Sequence, residues 1–269
     1  MSTHPPHSAP FGGPAPPPRI AVLVAGGSLA HILVNALIDH FGTISVLEET
    51  PEPRMEILRR RAQLVGWREA LGQAAFAIVR KLIARRSGAR LAAICDRHGL
   101  DPRPDPAVAA CKIGSVNSDA CRRALSELRP DVVVVYGTGV VERDTLASVA
   151  APFINYHPGI NPKYRGQNGA YWARRNGDPD HAGVTIHLVG EGVDTSDVLY
   201  QAPVEFAPDD NIATYQHRQM VAALPLLVWA IEDALAGRLR PNRVELPSRQ
   251  WFHPTLWAYI RTGVKQGVW

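Results

Sequence analysis

The stretch RIAVLVAGGSLAHILVNALIDHF, Arg19 to Phe41, decides the fold. A near-continuous apolar run leads into Gly26-Gly27-Ser28, and apolar residues then recur at spacings of three and four. An unbroken apolar run belongs to a strand buried on both faces, whereas the three-and-four spacing belongs to a helix with one face on a core. Strand, glycine turn and helix form the opening unit of an α/β fold with a doubly wound, mostly parallel, Rossmann-type sheet. The turn offers backbone N–H groups at a helix start, which suits an anion. Yet it is neither GxGxxG nor a phosphate-cradling loop of the Walker type, and no acidic residue stands clearly at the end of the next strand beyond Glu48 and Glu49. Plain packing and substrate binding by Gly26, Gly27 and Ser28 therefore both stay open.

Working outward, TISVLEE (Thr43 to Glu49) reads as the second strand. The segment from Pro53 to Ser87 is mostly helical and long for one crossover, with Gly66 and Gly72 as breaks; ARLAAICD (Ala89 to Asp96) reads as a further strand. NSDACRRALSEL is a helix capped by Asn117 or Ser118, and it leads into the buried strand of RPDVVVVYGTGVV. AGVTIHLVGEGVDTSDVLYQAPVEF, Ala182 to Phe206, predicts two strands joined by GEGVDTSD. A last helix over Thr214 to Ala236 precedes an aromatic tail. The expected organisation is a Pro-rich disordered arm over 1–18, a catalytic α/β domain over 19–206, and a short C-terminal helical appendage over 207–269 packed on the core.

Composition narrows the class. At 46% hydrophobic and 20% charged, the chain is ordinary for a globular protein. Cys95, Cys111 and Cys121 form no CxxC pair and leave an odd count, which argues against a zinc ribbon or a disulfide framework and for the cytoplasm. The apolar stretch from Val221 to Ile231 is too short to span a bilayer and contains Pro225, so no membrane partner is expected. A net charge of +4 invites a nucleic acid. However, no aromatic residues interleave with Arg59-Arg60-Arg61 or Arg85-Arg86, and these arginines read as solvated helix faces.

The chemistry concentrates in FINYHPGINPKYRGQNGAYWA, Phe153 to Ala173. If FINYH is a strand, Asn155 and His157 share a face, and Pro158 ends the strand. An amide beside an imidazole supplies two donors for a developing oxyanion, and GVDTSDV adds an aspartate to the constellation. Singly, each residue is as well read as structural, and His187 is read so. His157, His181 and His187 lack metal-ligand spacing, so no metal is expected.

These residues, in this order, resemble the folate-dependent formyltransferase family. Asn155, His157, Pro158, Pro162 and Gly166 match its Asn-x-His-Pro signature, and Asp194 matches its loop aspartate; the similarity runs from Arg19 to Phe206. The resemblance implies Asn155, His157 and Asp194 as catalytic residues and 10-formyltetrahydrofolate as formyl donor. It implies donor binding along Tyr136, Gly137, Thr138, Gly139, Val140 and Val141, and an amine acceptor on a small molecule held near Gly26, Gly27, Ser28, Gly166 and Gln167. Methionyl-tRNA is disfavoured as acceptor because few residues follow Phe206. A homodimer is kept open as the assembly, and a hydrolase on the same scaffold and a nucleotide-binding module are the rival readings. Gly159 replaces the family's usual Ser, Asn161 its usual Leu, and Thr195-Ser196 its x-Gly; the first two predict a loop after His157 that is looser or lines a different pocket.

Overall fold

The computed structural model describes residues 16–190 and 197–269. The chain opens with strand β1 (Ile20–Val24), helix α1 (Ser28–Phe41) and strand β2 (Ser45–Glu49). A helical excursion follows: α2 (Arg54–Val65), α3 (Trp67–Arg86) and α4 (Gly88–His98). Then come β3 (Cys111–Ile113), α5 (Asp119–Leu128), β4 (Val132–Tyr136), the short α6 (Arg143–Leu146) and β5 (Phe153–His157). Next are β6 (Arg165–Gly166), α7 (Gly169–Arg175), β7 (Gly183–Leu188) and β8 (Val198–Pro203). Helix α8 (Tyr215–Leu235), strand β9 (Gln250–Trp251) and helix α9 (Leu256–Gln266) end the chain.

Seven strands form one sheet in the order β3-β2-β1-β4-β5-β7-β8, parallel from β3 through β5 and antiparallel at β7 and β8. Alternation sorts the valines. Val22 and Val134, with Ile154 and Tyr156, face α1 and α8, while Ala21, Leu23, Val133 and Val135 face Cys121 and Leu125 of α5. Both faces are covered, as a parallel sheet requires. Helix α8 thus lies in the sheet's own helix layer and continues past Pro225 without a break. A third apolar cluster, with Phe76, Tyr164, Tyr171, Tyr215 and Tyr259, ties α3, α7 and α9 to the start of α8.

One expected strand is a helix. ARLAAICD falls within α4, because Leu91, Ile94 and Cys95 recur at helical spacing and Gly99 stops the helix in the left-handed conformation at φ 64°. The strand that does follow is β3, a short edge of three residues. Gly66 separates α2 from α3 as expected, but Gly72 lies inside α3, where the Trp257 ring occupies the space a side chain would need.

Candidate active site

Order reverses between β1 and β4, so the carboxyl ends of those strands open a crevice, the usual ligand position in doubly wound sheets. Gly26 and Gly27 lie at one lip and Gly137 at the other; a Cβ on Gly137 would sit 4.0 Å from that of Ala25. Gly26 has φ 74°, and a Cβ there would approach Glu48 Oε1 to 2.5 Å. Glu48 pairs with Lys112 Nζ at 2.6 Å, so a carboxylate stands beside the glycine turn.

The segment from Tyr136 to Val141 follows β4. Glu49 braces it: its Oε2 accepts from Gly139 N at 2.8 Å, while Oε1 accepts from Val116 N at 3.0 Å. Asn117 adds two bonds, donating through Nδ2 to Val140 O and accepting at Oδ1 from Glu142 N, both at 2.8 Å. The Tyr136 ring stacks on Tyr156 at 5.1 Å, on the sheet face opposite Asn155. What this segment presents on the Asn155 side begins at Gly137, with backbone and small residues.

Strand β5 carries Asn155 and His157 on one face, since they stand two positions apart with only Tyr156 between them, and Asn155 lies in register with Val135. Asn155 Nδ2 donates to His187 Nε2 at 2.9 Å, and His187 Nδ1 donates to Leu188 O at 2.9 Å. These bonds fix His187 as the Nδ1–H tautomer and turn one amide N–H of Asn155 toward it, leaving the second N–H as a donor. His157 is 5% exposed, and its Nε2 donates to Tyr164 O at 3.0 Å. Its Nδ1 is therefore the ring atom that can exchange a proton or hydrogen-bond with a ligand.

The loop between His157 and β6 is tightly held rather than loose. A Cβ on Gly159 would lie 2.5 Å from Tyr164 O and 2.8 Å from His157 Nε2, and one on Gly169 would lie 2.7 Å from Gly159 Cα. The hydroxyl of Thr185 donates to Gly159 O at 2.7 Å and accepts from Asn161 N at 3.0 Å. Gln201 Nε2 reaches Asn161 O at 2.8 Å. Tyr164 is anchored at its far end, where its hydroxyl donates to Asp178 at 2.7 Å beside Lys163 and His181. Burial opposes the Asp178 charge, but bonds from Lys163, His181 and Tyr164 outweigh it and hold the carboxyl down at about 2. Glycine at 159 and 169 permits closer packing than any other residue, and the loop is close-packed where a looser one is one of the two expectations.

Gly166 and Gln167 face the C-terminal tail. Gly166 pairs with Trp251 in the β6–β9 bridge at φ 91°, and the Gln167 Oε1 accepts from His253 N at 3.2 Å and Arg61 Nη2 at 3.4 Å. Asp194 lies outside the described residues, in the connection from β7 to β8. His187 was missed because its partner is set by register across β5 and β7, where it pairs with Asn155. A single chain pattern shows alternation but not register.

Residues 72–231, more than half the chain, match the model of the formyl transferase family. The chain belongs to that family. Formyltransferase relatives include the methionyl-tRNA formyltransferase of Anaeromyxobacter dehalogenans, 36% identical over 121 residues, which are 45% of this chain and 38% of that protein. The enzyme of the same name from Thermodesulfovibrio yellowstonii is 29% identical over 134 residues, 49% of this chain and 43% of the relative. The chain thus spans less than half the length of these curated relatives. Two solved formyltransferases share the fold. The glycinamide ribonucleotide transformylase 1 of Symbiobacterium toebii has a TM-score of 0.54 and 21% identity, covering 86% of this chain and 92% of that one. A sugar N-formyltransferase from Shewanella has a TM-score of 0.54 and 15% identity, covering 87% and 76%. Among the described residues no helix is long and apolar enough to cross a membrane.

Proposed function

We propose that this formyltransferase moves a formyl group from 10-formyltetrahydrofolate to the amine of a small molecule, with Asn155, His157 and Asp194 as its catalytic residues. The observation that carries the reading is the pair of donors on one face at the end of β5, beside the braced loop after β4. The donor supplies an activated formyl carbon bonded to a nitrogen. Attack by a neutral amine forms a new C–N bond and puts negative charge on the formyl oxygen. The second N–H of Asn155 and a proton on His157 Nδ1 meet that charge, an arrangement worth about 2.7–4 kcal/mol per donor at comparable sites. Asp194 takes the proton the amine loses and returns it to the folate nitrogen, which leaves as its bond to carbon breaks. Tyr164 O keeps the His157 ring oriented throughout by holding Nε2–H.

The fit to a flat folate ring rests on the segment from Gly137 to Val141, whose backbone is fixed by Glu49 and Asn117 while its side chains stay small. A thermal scan with a non-transferable 10-formyl folate analogue tests this. A saturable rise in Tm is expected; an unchanged Tm at millimolar analogue contradicts donor binding.

A further inference from the structure

Helix α2 brings Arg61 against the tail that closes over the loop after His157, and Arg80 of α3 acts electrostatically on His253 of that tail. Arg61 Cζ sits 4.3 Å above the Phe252 ring, and its Nη2 reaches Gln167 Oε1 at 3.4 Å. Arg80 is one turn beyond Phe76, whose ring lies 5.9 Å from that of His253. His253 is fixed in turn, since Asn168 Nδ2 donates to its Nδ1 at 2.8 Å, which leaves Nε2–H as the ring's own donor. Gln167 and Asn168 belong to the loop that runs from His157 into α7.

Charge is not balanced here. Arg60, the neighbour of Arg61, pairs with Glu52, and Arg90 pairs with Asp209 and Asp210. Among the described residues neither Arg61 nor Arg80 has a carboxylate within 4.0 Å. Burial works against both guanidinium charges and pushes both pKa values down. His253 is pushed down to about 4 by burial, then by Arg80 and Arg61. A partly buried cation without a carboxylate beside it is costly, and two of them within electrostatic reach of one neutral imidazole call for an anion. Phe252 and His253 themselves line a cleft of about 720 Å³, together with Arg68, Arg175, Arg249 and Arg261 against Glu69.

We propose that Arg61, Arg80 and His253 form an anion subsite that seats a phosphate-class group of the formyl acceptor, beside the loop that follows His157. That the anion belongs to the acceptor rests on the formyl-transfer reading; that these three side chains bind one does not. Guanidinium forks match tetrahedral oxyanions, and each contact is charge-assisted. The subsite also gives the α2–α3 excursion a purpose, since it supplies both arginines.

The test uses the full chain without folate, titrated with inorganic phosphate and with pyrophosphate at constant ionic strength in chloride. Tm and the His253 ring signals in NMR, assigned with His253→Gln, are read together. Saturable binding is expected, with the His253 signals shifting along the same curve. Arg61→Gln and Arg80→Gln should each weaken it at least tenfold, whereas Arg59→Gln, an exposed change on the same helix, should leave it unaltered. If Arg80→Gln does not fold, Arg80→Lys serves in its place, and a loss of at least threefold is expected. A response no larger than that to chloride, or one that survives both arginine changes, overturns the subsite. Retained phosphate binding in a chain that never consumes 10-formyltetrahydrofolate would overturn only its assignment to a formyl acceptor.

Discussion

Gly159 lies between His157 and the carbonyl that holds it. Its missing Cβ leaves room for the bond from His157 Nε2 to Tyr164 O, and for Gly169 to pack against its backbone. Placing the family's usual serine there forces the loop apart. Gly159→Ser should cost about 1–3 kcal/mol of stability, the range for overpacking a filled site, and should release the His157 ring. Chemical denaturation measures the first effect, and NMR of the His157 tautomer the second. A variant with wild-type stability and an unchanged Nε2–H tautomer would show that the loop adapts freely. The sequence marks Gly159 as a departure from the family pattern but does not show how closely its loop packs. That depends on Tyr164 O and Gly169 converging on the same space, five and ten residues further along the chain. His187 is hidden for a related reason, since only the β5–β7 register places it opposite Asn155.

Elements position the site through their ends. Glu49 at the end of β2 ties two loops together by accepting from Val116 N and Gly139 N. Glu49→Ala strands both donors and should destabilise the chain by roughly 1–3 kcal/mol. If the loop after β4 holds the folate, the same change should weaken analogue binding at least tenfold by calorimetry; unchanged affinity would separate Glu49 from donor binding. The strands were legible wherever the apolar run was long, as in VVVVY, or alternating, as in GVTIHL. ARLAAICD was misread because eight residues with four small apolar positions fit either period, and the cap that decides it, Gly99, lies beyond the segment. The run Arg59-Arg60-Arg61 suggests one solvated face, but a helix turns about 100° per residue, so three consecutive arginines cannot share one face. Arg59 and Arg60 are exposed, and Arg61 turns in toward Phe252.

At the scale of the whole molecule, the tail and the α2–α3 excursion bind stability to pH. His253 has a folded pKa of about 4 against an ordinary 6.5, so the unfolded chain binds more protons between those values. Its contribution is complete above pH 6.5 and is lost as pH falls toward 4. Asp178, held at about 2, adds a further loss below pH 4 as its carboxylate is protonated. Urea unfolding across this range should show stability falling between pH 6.5 and 4 in the wild type and a flatter profile in His253→Gln; equal slopes would remove His253 from the account. The central claim concerns Asn155 and His157, and the most direct measurement is the conversion of 10-formyltetrahydrofolate to tetrahydrofolate. The wild type and His157→Ala are compared, with matched Tm, against a panel of small amines, methionyl-tRNA and no acceptor. The account predicts turnover with a small amine and a loss of at least 10²-fold in His157→Ala. Equal rates in the two proteins, turnover with methionyl-tRNA alone, or formate released at the same rate without any acceptor would contradict it.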